Sequence, residues 1–520
     1  MLKDDLLRQS DFELAETHIS WVFLGDREVW KVKKPVDLGF LDFSSQAKRK
    51  AACEAEVRLN KRLAPDVYLG VVPVTKDDVG HHFLGGDEDR AVDWAVHMRR
   101  LADADRADMR VEEDRLTPDH VEALAQRIAA FHADARCDTE TAEFGTIESI
   151  RVNVEENFAQ TRQTIQAHLT PAEARQIEDR QRGFLENHQD RFRARIATGR
   201  IRDGHGDLRL NQMYIDDAGN ARILDCIEFN ERFRYADVCA DVAFLAMDLA
   251  WHGRADLAEH FLSRYARYSG DYDLYPLVDF YESYRAFVRG KVLSILSRDD
   301  TAGAHTRAEA VQETRRYYLL ALAAERRPVL PRAVVAVGGI IASGKSTVAS
   351  QLAAEMGTAV VDTDRTRKNL LGVDPTVSLR DGAWQGAYRQ GMTELVYREL
   401  FRRGNAVLES GRGVALDASF GSRAQRDGAR RLAAGHEVPF FFVECRADEA
   451  LLRERLRDRE RQTGVSDARL DIFEQVVARW EPAGELAPDE RLVLDTSQPL
   501  EKNIEALREQ VPTWPPGMTE

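Results

Sequence analysis

Eight consecutive residues, Gly339, Ile340, Ile341, Ala342, Ser343, Gly344, Lys345 and Ser346, carry the spacing G-x-x-x-x-G-K-S. Glycines so spaced let backbone amides wrap an anion, the lysine ammonium neutralises its outer charge, and the serine hydroxyl is a hard oxygen ligand for magnesium. The apolar run Val334-Val335-Ala336-Val337 leads in, and Thr347-Val348-Ala349 leads out with helical character. Strand, glycine-rich turn and helix N-terminus in that order form a phosphate cradle. The chain is therefore expected to bind ATP with magnesium through residues 339–347 and to use the nucleotide as a phosphoryl donor.

Further acids and bases follow at the ends of apolar runs. Ala359-Val360-Val361 ends in Asp362-Thr363-Asp364, with Arg367 three residues beyond Asp364. At the carboxyl end of a strand a carboxylate can accept a hydroxyl proton while an arginine holds an anionic group. A second run, Val414-Ala415-Leu416, ends in Asp417, and Arg453 to Arg461 contains five arginines.

The first half of the chain holds another constellation, His205-Gly206-Asp207-Leu208 followed by Ile223-Leu224-Asp225. One carboxylate in a loop and another at a strand end suit phosphorylation of a hydroxyl, the first positioning the acceptor and the second holding metal. Upstream, Val29-Trp30-Lys31-Val32-Lys33 alternates so that Lys31 and Lys33 share a face, and Glu56 lies on a following helix within reach of one of them. Such a pair would orient the donor phosphates.

The elements that must position these residues can be read from periodicity. A strand pair around Gly25-Asp26 precedes helical text from Gln46 to Leu63, then strands at Val71–Thr75, His81–Leu84 and Trp94–Met98. Helices are expected over Pro118–Ala135 and Val154–Arg195, a hairpin turning at Asp217–Asn220, and helices again from Asp237 to about Arg326. Two prolines in Arg327-Pro328-Val329-Leu330-Pro331 stop the last of these. Beyond them strand and helix alternate through Ala359–Asp362, Gly413–Asp417 and Pro439–Glu444, the pattern of a parallel sheet covered by helices. The expected organisation is an N-terminal α+β domain over residues 1–326, with a small lobe to about residue 98 and a helical lobe from about 99, a linker at 327–332, and a C-terminal three-layer α/β domain at 333–520.

At 520 residues the chain exceeds what one core supports, in agreement with that division. A net charge of −15 disfavours nucleic acid as the first-choice partner. No apolar run approaches the ~20 residues that span a bilayer, nothing at the start resembles a signal peptide, and the five cysteines show no C-x-x-C pair. A cytoplasmic protein with free thiols is expected.

The Asp364-x-x-Arg367 arrangement behind the phosphate loop resembles P-loop kinases of the polynucleotide kinase, gluconate kinase and chloramphenicol phosphotransferase group. That resemblance implies Asp364 as general base, Arg367 on the acceptor or a phosphate, Asp417 at the Walker B position, and a lid whose Arg455 and Arg459 close over the transferring group. The series Lys, Glu56, His-Gly-Asp, Ile-x-Asp resembles aminoglycoside phosphotransferases and choline-kinase-like enzymes, which have the protein-kinase fold. It implies Asp207 as the catalytic aspartate, Asp225 on metal, and an interlobe connection at Trp94–Met98 whose backbone, Met98 included, meets adenine. Phe131-His132 and Asp241-Val242-Ala243-Phe244 look like helix landmarks of that family, and Arg285, Arg289 and Lys291 are further cations near the expected first pocket.

Two points stay open at this level. The kinase pattern favours Lys31, while counting from the Gly25 turn favours Lys33. The family's asparagine five residues after the catalytic aspartate is replaced by Gln212, with Asn211 one position early, so Gln212 is the expected metal ligand beside Asp225. In domain order the chain resembles bacterial fusions of an aminoglycoside phosphotransferase-like domain with an ATP-binding domain. The leading expectation is a bifunctional kinase acting on hydroxyls of small molecules. The alternatives are a polynucleotide 5′-hydroxyl kinase in the second half, or a nucleotide-sensing first half that regulates the second.

Overall fold

The computed structural model describes residues 2–9, 11–17, 19–37, 41–298, 303–323, 330–379, 385–459, 465 and 469–515. Residues 327–329 of the expected linker, Arg461 and Ser466–Ala468 lie outside that range, as does the side chain of Arg459. The described residues form two compact units, one of Met1–Gly253 with Tyr281–Leu322, the other of Arg254–Phe280 with Ala323–Glu520.

In the first unit, strands β1 (Glu13–Glu16), β2 (Ser20–Leu24), β3 (Glu28–Lys33), β4 (Tyr68–Lys76), β5 (His82–Leu84) and β6 (Asp93–Arg99) make one antiparallel sheet in the order β1-β2-β3-β6-β4-β5. Ser45 caps the helix Gln46–Asn60 by accepting from the Lys48 amide, and Cys53, Glu56 and Asn60 lie along its buried face. Cys53 packs with Val29, Tyr68, Trp94, Val96 and Met98 of the sheet. Trp94–Met98 is therefore a central strand, and the expectation of an interlobe connection there is corrected. Its backbone is paired with β3 on one side and β4 on the other, Met98 included.

The helical part of this unit centres on Val238–Trp251, buried along nearly its whole length from Val238 to Leu249. A helix apolar all round belongs inside a bundle, so its two aspartates, Asp241 and Asp248, must find partners there. They do so on the loop that follows β7 (Ile201–Asp203). β8 (Met213–Ile215) and β9 (Ala221–Ile223) form the expected hairpin, and β10 (Tyr235–Asp237) pairs with β7. The expected helix Val154–Arg195 is divided: Ile147–Thr161 ends before Thr170 and Pro171 start Pro171–Asn187, and a third helix spans Gln189–Ala197.

The second unit is built on a five-stranded parallel sheet in the order β12-β13-β11-β14-β15. β11 is Val334–Gly339, β12 Ala359–Asp362, β13 Val414–Asp417, β14 Phe440–Arg446 and β15 Arg491–Asp495. The last strand was not anticipated from the sequence. β11 to β13 are buried along their whole length, as parallel strands between two helical layers must be. Val335, Val337, Leu352, Val443 and Leu494 share one apolar cluster between the sheet and the helix Lys345–Glu355. The first unit is thus of α+β class and the second an α/β P-loop fold.

Leu352 has no exposed surface. Leu352→Ala should lower the stability of the P-loop unit by about 2–5 kcal/mol through lost burial and a residual cavity, read from its urea midpoint.

Candidate functional site

Parallel register gathers the acids of the P-loop unit. Asp417 sits opposite Val337 on β11 and opposite Asp362 on β12, so both carboxylates emerge at the carboxyl edge beside the loop that leaves β11. Neighbours of β11 diverge here, β13 to one side and β14 to the other, which opens the crevice where such sheets bind ligands. The loop is tight. A Cβ on Gly339 would lie 2.6 Å from the Cys445 carbonyl oxygen, so only glycine fits, and Gly344 and Ala342 are both left-handed, at φ +79° and +65°.

Asp417 hydrogen-bonds with Ser346, and its Oδ1 is buried without a hydrogen-bond partner among the described residues. Burial pushes its carboxyl up to about 6; Lys345 opposes this and Asp362 adds to it. A buried carboxylate with an unused oxygen next to a hydroxyl is a donor set that fits a hard divalent cation, so Ser346 and Asp417 could hold magnesium.

Asp364 and Arg367 lie on the helix Thr363–Leu370, which starts at the end of β12. Its N-cap is Asp362, whose side chain accepts from the Arg365 amide at 2.7 Å. Asp364 is half-buried in the first turn and Arg367 is buried one turn on. Arg367 donates to the Ala387 carbonyl at 2.6 Å and stacks over Tyr388 at 4.4 Å, while its Nε has no hydrogen-bond partner among the described residues. Arg367 is thus held by burial rather than solvated on a helix surface.

Arg455, on the helix Glu449–Arg459, donates to the Thr496 carbonyl at 2.6 Å and its hydroxyl at 3.2 Å. The Thr496 hydroxyl donates to the Ser343 carbonyl at 2.8 Å, which ties the end of β15 to the phosphate loop. A cavity of about 470 Å³ opens here, lined by Gly344, Thr347, Arg455, Thr496, Gln498 and Leu500 among others. That volume accommodates a nucleoside. Thr496 and Gln498 escaped the sequence reading because Asp495-Thr496-Ser497 matches no motif; its one signal was a turn after an apolar strand.

In the first unit Glu56, without exposed side-chain surface, pairs with both lysines: Lys31 at 2.9 Å and Lys33 at 2.5 Å. Lys31 continues to Asp225 at 2.5 Å, whereas Lys33, also fully buried, turns to Glu228. The lysines are therefore not equivalent. Lys31 faces the loop carboxylate and Lys33 lies in the interior. Three carboxylates, Glu56, Asp225 and Glu228, stand against two ammonium groups, and burial pushes the Glu228 carboxyl up from its ordinary value. The surplus negative charge fits a bound cation at Asp225.

Asp225 has φ +62°, a left-handed turn that aspartate tolerates. Tyr68 Oη accepts from its amide at 3.2 Å, and Gln212 Nε2 donates to its carboxylate at 3.3 Å. Gln212, not the exposed Asn211, thus occupies the position beside Asp225. Asp241 accepts from the amides of His205 at 2.7 Å and Gly206 at 2.9 Å, and Asp248 from that of Leu210 at 2.9 Å. These buried aspartates, seven residues apart on one helix, grip the loop that carries Asp207. His132 approaches Asp241 at 3.4 Å. Arg285 donates to the Ala240 carbonyl at 3.1 Å and Lys291 to Asn157 at 2.7 Å.

Both Asp207 oxygens are taken by Arg209, at 2.8 and 2.9 Å. Burial raises the Asp207 carboxyl, but Arg209 and then Arg289 override it and hold it below the usual carboxylate range. Sequence reasoning missed Arg209, which lies two residues after the aspartate it closes on.

The family described as an AAA domain matches residues 334–483. An uncharacterized protein of Mycobacterium tuberculosis is 32% identical over 499 residues, covering 95% of this chain and 94% of its own, and one of Mycobacterium bovis matches equally. Among solved structures, a sugar kinase from Janibacter is 23% identical over 35% of this chain and 94% of its own, with a TM-score of 0.26. A choline/ethanolamine kinase family protein from Mesorhizobium loti is 12% identical over 60% and 91%, with a TM-score of 0.31.

Two outcomes test this geometry. Magnesium-dependent nucleotide affinity at the P-loop should be full at pH 8 and fall as pH drops through about 6, where Asp417 takes up its proton; calorimetric titration across pH reads it, and Asp417→Asn should remove the dependence. Lys33→Met should destabilise the first unit by about 3–5 kcal/mol in urea by leaving Glu56 and Glu228 with one buried cation fewer, and Lys31→Met by less, because Asp225 keeps access to water.

Proposed function

This chain belongs to one family with the mycobacterial proteins that it matches almost end to end, and from that full-length architecture and its two carboxylate sites we propose an ATP-dependent phosphotransferase with two active sites. The unit of residues 1–253 and 281–322 carries the first site and the unit of 254–280 and 323–520 the second, so the expected boundaries 1–326 and 333–520 are corrected by the inclusion of 254–280 in the second unit. In each, the γ-phosphoryl group of ATP passes to a hydroxyl of a small molecule. The observation that supports this most is the register of the parallel sheet, which sets Ser346, Asp417 and the Asp364/Arg367 helix around one phosphate loop.

At the second site, the amides of Ile340 to Ser346 and the Lys345 ammonium receive the β- and γ-phosphates. Asp364 accepts the acceptor's hydroxyl proton as its oxygen bonds to the γ-phosphorus. The bond to the β-bridging oxygen breaks and ADP leaves with the electron pair. Arg367 holds an anionic group of the acceptor, and Arg455 and Arg459 close over the transferring group. Magnesium, when bound with the nucleotide at Ser346 and Asp417, neutralises charge on the phosphate oxygens.

At the first site, Lys31, oriented by Glu56, holds donor phosphates. Asp225 and Gln212 supply oxygen ligands, and Asp207 positions the acceptor hydroxyl. Arg209 must release Asp207 or share it with the acceptor hydroxyl. The same closed pair favours a second reading, in which the first half senses nucleotide without transferring phosphate. A cytoplasmic location, where ATP is supplied, goes with either reading.

Labelled ATP offered with polyols, sugars, amino alcohols and 5′-hydroxyl oligonucleotides distinguishes them. Two separable transfers are expected, Lys345→Ala removing one and Asp207→Ala the other, each by about 10³-fold or more. If Asp207→Ala removes no transfer, the first half does not transfer phosphate and the sensing reading is favoured; if Lys345→Ala removes none, the P-loop is excluded as a donor site.

A further inference from the structure

Residues Arg254–Phe280 precede the phosphate loop by some distance in the chain, yet they form part of its unit. Their helix, Ala255–Ser269, packs along β12, the edge strand of the parallel sheet. Near its C-terminus Arg267, mostly buried, makes two contacts. Its Nε donates to Asp362 Oδ2 at 3.3 Å and its Nη1 to Ser350 Oγ at 3.1 Å.

These partners sit on different halves of the site. Ser350 lies one turn after Ser346 on the helix that begins with Lys345, so it belongs to the element that receives the donor phosphates. Asp362 is the N-cap of the helix that carries Asp364 and Arg367, so it belongs to the acceptor side. One planar guanidinium thus joins the donor helix to the cap of the acceptor helix. Flanking contacts hold it there: Tyr272 Oη donates to the Val360 carbonyl at 2.7 Å, and Arg365 stacks over Tyr268 at 5.3 Å. Asp362 is almost fully buried and lies opposite Asp417, so it needs a cation, and Arg267 is the one that this segment supplies.

We propose that Arg267 is a positioning residue of the P-loop phosphotransferase site, holding the Asp364/Arg367 helix at a fixed separation from the phosphate loop by bridging Asp362 and Ser350. The inference rests on the phosphotransferase reading of that site. It makes residues 254–280, which the sequence reading places in the N-terminal domain, a required part of the second active site.

The test uses the full chain with Asp225→Ala to silence the first site, magnesium-ATP as donor and water as acceptor. Arg267→Ala is expected to lower kcat for phosphate release about tenfold or more while the ATP KM moves less than about threefold, since donor contacts remain and acceptor geometry is lost. Arg267→Lys, which keeps the charge but not the fork, should recover part of the rate. Arg412 provides the control: it ties the same segment to the opposite end of β13 through Glu259 at 2.7 Å and Asp279 at 3.1 Å. Arg412→Ala should leave kcat unchanged. An unchanged kcat in Arg267→Ala, or an equal loss in Arg412→Ala, overturns the proposal. Should Arg267→Ala not fold, Ser350→Ala must show the same split at about threefold, and no effect there overturns it equally. If Lys345→Ala leaves phosphate release intact in the silenced chain, the phosphotransferase reading itself falls, a result distinct from all of these.

Discussion

Glu56 is a carboxylate with no exposed surface, standing between Lys31 and Lys33. A charge so placed is tolerated only because both neighbours are cations and because each lysine continues to a further carboxylate, Asp225 or Glu228. The network fixes the helix Gln46–Asn60 to β3 and ties both to the segment after β9. Asn60 of that helix takes part as well, accepting from the Cys226 amide at 2.8 Å. Asp225 is therefore held from two directions, at a position where its backbone is left-handed.

The second unit solves a similar problem by topology. Parallel strands of matched length deliver Asp362 and Asp417 to the same edge, where two buried acids raise each other's cost. Lys345, Ser346 and Arg267 share the compensation, and what they leave unsatisfied is the Asp417 oxygen that suits a metal. In both units, then, buried carboxylates are gathered beside lysines or arginines that offset part of their charge. The first unit reaches that state through a lysine pair and a buried helix bearing Asp241 and Asp248. The second reaches it through strand register.

Much of this was legible in the chain. The phosphate loop, the His-Gly-Asp and Ile-x-Asp segments, the helix bearing Glu56 and most strands of both sheets are local patterns, set by periods of two and 3.6 residues and by glycine at tight turns. Misreadings came where one pattern serves two environments. Trp94–Met98 has the apolar alternation of a strand, and it is one; the kinase resemblance placed a connection there, but a segment paired on both edges has no backbone left to offer a base. The divided helix beyond Val154 was missed because the Thr170-Pro171 start signal lies within continuously polar helical text.

The sequence by itself determined which chemistry is available: a phosphate cradle, two sets of positioned aspartates, and lysines and arginines to meet phosphate. The tertiary structure decided which of those groups meet. It separated Lys31 from Lys33, placed Gln212 rather than Asn211 beside Asp225, and brought Thr496 to the phosphate loop and Arg267 to the helix that follows that loop. The physical reason is distance along the chain. Motifs arise from neighbours a few residues apart, whereas the partner of a buried charge is chosen by packing between segments separated by dozens or hundreds of residues, and no local spacing records it.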